Sequence, residues 1–149
     1  MTFLKNIVAA FILVFVLVSA SLANHHVIDA NTATEQQLAQ INELSSDQLS
    51  FILANRPFET ISDLNNELSK TLDSAALELL YAHIFVPISL NTAHEADILL
   101  IPGVGERMAN EFDEYRPYVN IEQFRREIGK YVSQEEVARY EMYIYLALE

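Results

Sequence analysis

The chain has 149 residues, which is enough for one compact domain or two very small ones. It contains no cysteine, and this excludes disulfide bonds, thiolate metal sites, a cysteine nucleophile and a lipid-modified cysteine. Its formal net charge of −12 at pH 7 repels duplex DNA unless basic residues are concentrated locally.

Residues 1–23 have the three parts of a secretory signal. Lys5 supplies a short positive region, residues 7–20 form an apolar run, and Ser21-Leu22-Ala23 places small residues where a signal peptidase cleaves. A bilayer-spanning helix needs about 20 apolar residues, so an uncleaved anchor is the weaker interpretation. We therefore expect a periplasmic or secreted protein without a stable membrane span. Since the signal carries one basic and no acidic residue, the mature chain would have a net charge of −13.

The rest of the chain contains an internal repeat. A shift of 60 positions aligns residues 28–86 with residues 88–146 without a gap, and twelve aligned pairs are identical. The identical pairs include Asn31/Asn91, Arg56/Arg116 and Pro57/Pro117. An ungapped match that also keeps the apolar positions indicates a duplication. We expect repeat 1 over residues 24–86 and repeat 2 over residues 87–149.

Each repeat is predicted to form four short helices, because its apolar residues recur at helical spacing and no segment after residue 23 alternates like a strand. The first helix is expected to begin at a capping box of the form Thr-x-x-Glu, at Thr32 and at Thr92. The second helix covers residues 46–55 in repeat 1 and residues 106–115 in repeat 2. An Arg-Pro pair ends it in both repeats, because the residue before proline is pushed out of the helical region.

The two repeats are expected to pack against each other. A unit of 60 residues buries only about 60% of its unfolded surface and is marginal alone. The link between the repeats, around Val86-Pro87-Ile88, is short and apolar. The sequence therefore predicts an all-α protein in which two tandem repeats form one pseudo-symmetric domain.

The most informative stretch is Ile101-Pro102-Gly103-Val104-Gly105, which we call the hairpin. Two glycines around one apolar residue permit positive φ and a tight reversal, with Val104 pointing into the core. The amides at the start of the following helix then face outward, where they can hold an anion. Such an arrangement holds a DNA phosphate without reading the bases.

With this hairpin the chain resembles the helix-hairpin-helix proteins of the competence DNA-receptor (ComEA-like) type over about residues 28–146. The matching segments are Leu90-Asn91-Thr92-Ala93, Pro102-Gly103-Val104-Gly105 with Ala109 in the next helix, and residues 56–64 with their counterpart Arg116-Pro117-Tyr118. Members of this family are exported, bind duplex DNA without sequence preference and have no catalytic centre. The resemblance implies that the amides of Gly103, Val104 and Gly105 hold phosphate, with Arg107 as the basic residue after the hairpin.

The resemblance therefore favours a non-enzymatic, exported binding protein that holds duplex DNA weakly and without sequence preference through the hairpin. The alternative function is a structural or protein-interaction module of the cell envelope. The turn of repeat 1 reads Ile41-Asn42-Glu43-Leu44-Ser45 and contains no glycine, so we expect repeat 1 to be structural only. Residues 101–116 of repeat 2 hold two basic and four acidic residues, which disfavours a bound polyanion. On this interpretation the partner is an envelope protein rather than DNA.

Arg125, Arg126 and Lys130 form the main basic cluster of the sequence. The cluster can approach phosphate or an acidic partner. The favoured interpretation is ordinary ion pairing with Glu122 and Glu127 on a solvated helix.

Asn24-His25-His26 would form the mature N-terminus. A free amine with histidine in the third position can chelate Cu(II) or Ni(II), although a tail without function is the favoured interpretation of His25 and His26. The sequence contains no serine-histidine-aspartate order, zinc spacing, phosphate loop or dinucleotide fingerprint. We therefore expect no enzymatic activity, no cofactor and no small-molecule substrate.

Overall fold

The computed structural model describes residues 26–147, so the predicted signal sequence and His25 lie outside the described residues. We call residues 28–85 the first half and residues 88–145 the second half. The first half contains β1 (Ile28–Asp29), α1 (Glu35–Leu38), α2 (Ser46–Asn55), α3 (Ile61–Leu68), α4 (Ser74–Tyr81) and β2 (Ile84–Phe85). The second half contains β3 (Ile88–Ser89), α5 (Glu95–Ile98), α6 (Glu106–Glu114), α7 (Ile121–Ile128), α8 (Gln134–Glu141) and β4 (Ile144–Tyr145).

The predominance of helix that the sequence predicts is confirmed, and the strands have only two residues each. Strand β1 pairs with β2 in parallel, with Ile28 opposite Ile84, and β3 pairs with β4 in parallel, with Ile88 opposite Ile144. Each strand pair therefore joins the beginning of a half to its end. None of the helices in the described part of the chain has the length and apolar character needed to span a bilayer.

The capping boxes predicted at Thr32 and Thr92 are wrong, because the first helix of each half starts two residues later. In the first half, Thr34 accepts a hydrogen bond from the amide of Gln37 at 3.2 Å, and the Gln37 side chain accepts one from the amide of Thr34 at 2.8 Å. The hydroxyl of Thr32 donates instead to Asp29 in the preceding turn. In the second half, α5 follows His94, whose side chain makes no capping hydrogen bond.

The second helix of each half lies where the sequence predicts it. Helix α2 covers the predicted residues, and α6 ends one residue early, at Glu114. An Arg-Pro pair follows each helix closely, and both Arg-Pro peptide bonds are cis. Arg56 donates to the carbonyl of Ala33 at 2.6 Å, and Arg116 donates to the carbonyl of Leu90 at 2.8 Å. Each arginine thus connects the loop after the second helix to the segment before the first helix of its half.

An asparagine side chain fixes the start of each half to the loop that follows its second helix. Asn31 donates to the carbonyl of Phe58 at 2.9 Å and accepts from the amide of Phe58 at 2.8 Å. Asn91 makes the same two hydrogen bonds with Tyr118, at 2.9 and 2.7 Å. The side chain thus satisfies both backbone groups of one residue, as a neighbouring strand would.

The two halves share a core and a buried polar contact. The rings of Phe85 and Tyr143 pack edge to face across the halves, with centroids 4.9 Å apart. Asp97 on α5 is only 3% exposed and accepts hydrogen bonds from the amide and the hydroxyl of Ser62, at 3.2 and 2.5 Å. Since Ser62 lies in the first turn of α3, a carboxylate of the second half satisfies a helix start in the first half.

Replacing Asn91 with alanine is expected to lower the free energy of unfolding by about 2 kcal/mol, because the buried backbone groups of Tyr118 lose both partners. Urea unfolding followed by circular dichroism measures this change. Asn110→Ala is the matched control, because Asn110 is exposed on α6 and alanine is a better helix former. Equal stabilities of the two variants would contradict the role assigned to Asn91.

Asp97→Ala is expected to lower the free energy of unfolding by about 2 kcal/mol, since hydrogen bonds to a charged group are the stronger ones. A double-mutant cycle with Ser62→Ala isolates the contact between the halves. We expect a coupling energy of about 1 kcal/mol or more, whereas additive effects of the two substitutions would argue against the contact.

Candidate functional site

The hairpin joins α5 to α6 through a tight turn. Ile101 and Val104 are buried, and the amide of Val104 donates to the carbonyl of Ile101 at 3.0 Å. Gly103 has a φ of +74°, a conformation that favours glycine. Gly105 has a φ of −97°, and a Cβ atom added there would meet nothing within 4 Å. The positive φ expected around Val104 therefore occurs at Gly103 alone.

The amides that the resemblance assigns to phosphate differ in their availability. The amide of Gly103 donates to Oε1 of Glu78 at 3.2 Å, and the amide of Val104 is used within the turn. Gly105 is the N-cap of α6, and its amide donates to no backbone carbonyl of residues 26–147. Arg107 is exposed in the first turn of the same helix. Of the amides of Gly103, Val104 and Gly105, that of Gly105 alone therefore makes no hydrogen bond within residues 26–147.

Glu78 reaches the hairpin from α4 of the first half. Between α4 and the hairpin lies a cleft of about 590 Å³. Polar groups enter the cleft from Asn65, Ser74 and Glu78, but most of its lining is apolar. The apolar lining residues include Leu77, Leu99, Leu100, Ile101, Pro102 and Val104. On the side of the cleft, the hairpin therefore faces the first half of the protein. The carboxylate of Glu78 already accepts a hydrogen bond from the amide of Gly103 there.

A guanidinium group also borders the hairpin. A Cβ atom added to Gly103 would lie 3.1 Å from Nη2 of Arg139, a close approach that a small shift of this flexible side chain relieves, so it is the positive φ that favours glycine here. Arg139 forms an ion pair with Glu136, one helical turn earlier on α8. The hydrogen bond between them lowers the pKa of Glu136 and raises that of Arg139. The charge of Arg139 is thus matched by a carboxylate of its own helix.

The corresponding turn of the first half presents no comparable group of amides. Leu44 donates to the carbonyl of Ile41 at 3.2 Å, which closes the turn as in the second half. Ser45 and Gln48 then cap α2 with reciprocal hydrogen bonds of 3.3 and 2.8 Å. Glu43, which the sequence places in the turn, lies 3.8 Å from Nε2 of His83. Side chains in the first half therefore satisfy the helix start that Gly105 leaves bare in the second.

The basic cluster is brought together on α7 and just after it, and carboxylates match all three members. Arg125 donates to both carboxylate oxygens of Glu141, each at 2.7 Å. Arg126 donates to Glu127 at 2.9 Å, and Lys130 pairs with the same carboxylate. Oε1 of Glu122 also lies 3.8 Å from Nη1 of Arg125, so three carboxylates face the three basic groups and little positive charge remains for an external anion.

The predicted metal-binding terminus falls mostly outside the described residues. His26 is exposed, and His25 is not described. Within residues 26–147, no three histidine, aspartate or glutamate side chains are grouped so that they could hold a metal ion.

Sequence reasoning missed Glu78 and Arg139, which approach the hairpin from α4 and α8. The 60-residue alignment places Ala138 opposite Glu78 and Leu79 opposite Arg139, so no repeated pattern marks either residue. Long-range packing alone brings them to Gly103. The chain matches no protein-family model, no curated protein and no solved structure, so the geometry and charge of the site are what bear on its function.

Proposed function

We propose that this is a non-enzymatic, exported helix-hairpin-helix protein that serves as a structural or protein-interaction module of the cell envelope and has lost DNA binding. The hydrogen bond from the Gly103 amide to the Glu78 carboxylate carries the proposal. By the family resemblance, that amide would hold a phosphate oxygen. Here a carboxylate of the other half takes its place, so the hairpin contributes to holding the two halves together.

Three features support the interpretation of both halves as copies of one helix-hairpin-helix unit. The elements follow the same order in residues 28–85 and 88–145. The strand pairs have equivalent registers 60 residues apart. Asn31 and Asn91 make the same pair of backbone hydrogen bonds. We therefore assign repeat 1 to residues 24–86 and repeat 2 to residues 87–149, packed as one pseudo-symmetric domain.

The charge around the hairpin also favours a protein partner over DNA. Binding to duplex DNA draws its affinity from lysine and arginine side chains that displace counterions from several phosphates. At the hairpin, Arg107 stands beside Glu106, and the basic cluster is paired with Glu127 and Glu141. An apolar cleft next to the hairpin would in addition remove water from a phosphate without replacing its hydrogen bonds.

Weak, sequence-independent DNA binding is the second candidate, and one observation favours it. The start of α6 is exposed at Gly105, Glu106 and Arg107 and carries no side-chain cap. Amides at such a helix start, together with the helix dipole, attract a phosphate group. The mechanism would be phosphate capture by the backbone, assisted by Arg107.

An anisotropy titration of a labelled DNA duplex at low salt distinguishes the two candidates. We expect no binding at tens of micromolar protein, where even non-specific DNA-binding proteins usually bind. Gly105→Glu is the diagnostic variant, because the site has room for its side chain and the added carboxylate repels phosphate. Binding by the wild type that Gly105→Glu abolishes would overturn our proposal in favour of the second candidate.

The interaction role predicts a partner in the envelope of the host. Reversible cross-linking in intact cells, followed by reconstitution with the purified partner, tests this directly. Leu79, Val119 and Tyr145 are large apolar side chains that are 63%, 70% and 51% exposed. We expect serine at one or more of these positions to weaken the reconstituted complex at least tenfold, as loss of a central apolar contact does. Thr92→Ser is the control, and a complex that all four variants form equally well would contradict this prediction.

A further inference from the structure

Two tyrosine hydroxyls meet on the second half of the protein. Tyr115 is the C-cap of α6, and Tyr131 lies in the turn between α7 and α8. Their hydroxyl oxygens are 2.8 Å apart, so one phenol donates a hydrogen bond to the other. The ammonium group of Lys130 lies 4.9 Å from the centre of the Tyr115 ring and packs against it. The fold thus holds two phenols side by side.

A carboxylate accompanies this pair. The hydrogen bond with Tyr115 and, after it, the carboxylate of Glu111 raise the pKa of Tyr131. Oε2 of Glu111 is buried and makes no hydrogen bond within residues 26–147. A carboxylate oxygen of this kind, next to a phenol, can accept the hydroxyl proton when the phenol is oxidised.

The composition and the burial of the other tyrosines favour this pair as the site of one-electron oxidation. The chain contains no cysteine and no tryptophan, the other side chains that lose an electron readily. Four of its seven tyrosines are buried: Tyr81, Tyr118, Tyr140 and Tyr143. Tyr131 is 39% exposed, which makes its ring accessible to an oxidant. Tyr145 is exposed as well, but it lies on β4 and takes no part in the pair.

We propose that Tyr115 and Tyr131 form an oxidative cross-linking site, at which a one-electron oxidant of the haem-peroxidase class joins their rings into dityrosine. Each phenol gives up one electron and its hydroxyl proton, and hydrogen peroxide takes up both electrons and both protons to give water. The two phenoxyl radicals then form a bond between their Cε atoms, and the hydrogen on each bonded Cε moves to the oxygen of its own ring. The product has its two hydroxyls side by side, as the structure already has them.

The cross-link ties the end of α6 to the turn before α8 and closes a loop that contains residues 116–130. A covalent link of this kind removes conformations from the unfolded chain, as a disulfide does. A chain without cysteine cannot gain stability from a disulfide, and the tyrosine pair gives it a covalent link that forms on oxidation. This inference goes beyond the proposed function and does not rest on it.

Treatment of the full chain, kept in a neutral detergent, with a haem peroxidase and hydrogen peroxide tests the proposal. We expect the monomer to acquire dityrosine fluorescence, which no tryptophan obscures, and to lose the mass of two hydrogen atoms. After trypsin digestion, the fragment 108–125 should be joined to the fragment 131–139, in which Tyr131 is the only tyrosine. Since the reaction occurs within one molecule, the yield in the monomer should not fall on about tenfold dilution of the protein.

Tyr131→Phe is the diagnostic variant, because it removes one hydroxyl and keeps the ring. It should lose the dityrosine of the monomer, whereas the matched control Tyr145→Phe should keep the wild-type yield. Glu111→Gln should slow the initial rate about tenfold or more, because it replaces the proton acceptor and leaves both phenols in place. The cross-linked monomer should melt about 10 °C higher than the untreated protein.

The inference is overturned if dityrosine appears only in covalent dimers, or if Tyr131→Phe forms as much of it in the monomer as the wild type. It is also overturned if the monomer forms none while the same reagents couple free tyrosine. A lower melting temperature of the cross-linked monomer would show that the bond distorts the fold and would count equally against it. An unchanged rate in Glu111→Gln would refute the role of that carboxylate. Circular dichroism checks that each variant is folded, and Tyr115→Phe gives the same test should Tyr131→Phe unfold.

Discussion

The fold of each half depends on the hydrogen bonds of one asparagine side chain, Asn31 in the first half and Asn91 in the second. Helices α1 and α5 have four residues, far too few to be stable without tertiary contacts. Asn31 and Asn91 hold these regions by pairing with both backbone groups of a residue 27 positions away. The Arg-Pro pair of each half lies in the same loop, between the second and the third helix. The asparagine of the Asn-Thr-Ala motif thus has a structural role that needs no ligand.

Residues that the 60-residue alignment pairs make different contacts in the two halves. Asp97 and Gln37 are equivalent in the 60-residue alignment, yet Asp97 binds Ser62 of the other half while Gln37 caps its own helix. Glu78 contacts the opposite half, whereas its equivalent is an alanine. At two aligned pairs of positions, therefore, one residue contacts the other half and its counterpart does not. As a result the hairpin has Glu78 and Arg139 as neighbours.

The sequence predicts the features that local chemistry determines and misses those that depend on distant packing. Apolar spacing and the Arg-Pro pairs predict residues 46–55 and the start of α6, and the hairpin residue Val104 is buried as expected. Strands of two residues are too short for an alternating pattern to indicate them. The cap at Thr34 was missed because two threonines stand close together and only the turn geometry selects between them. Glu78 and Arg139 carry no local signal, because they reach Gly103 from helices distant in the sequence.

The two glycines of the hairpin therefore carry different information about function. Gly103 is favoured by its positive φ, whether or not the protein binds an anion. Gly105 is needed by neither conformation nor space, and its effect is to leave the start of α6 without a cap. In the first half, Ser45 stands at the equivalent position and closes the helix start. A Pro-Gly-Val-Gly motif alone thus indicates a turn, and on our proposal the carboxylate of Glu78 takes the place of a phosphate at that turn.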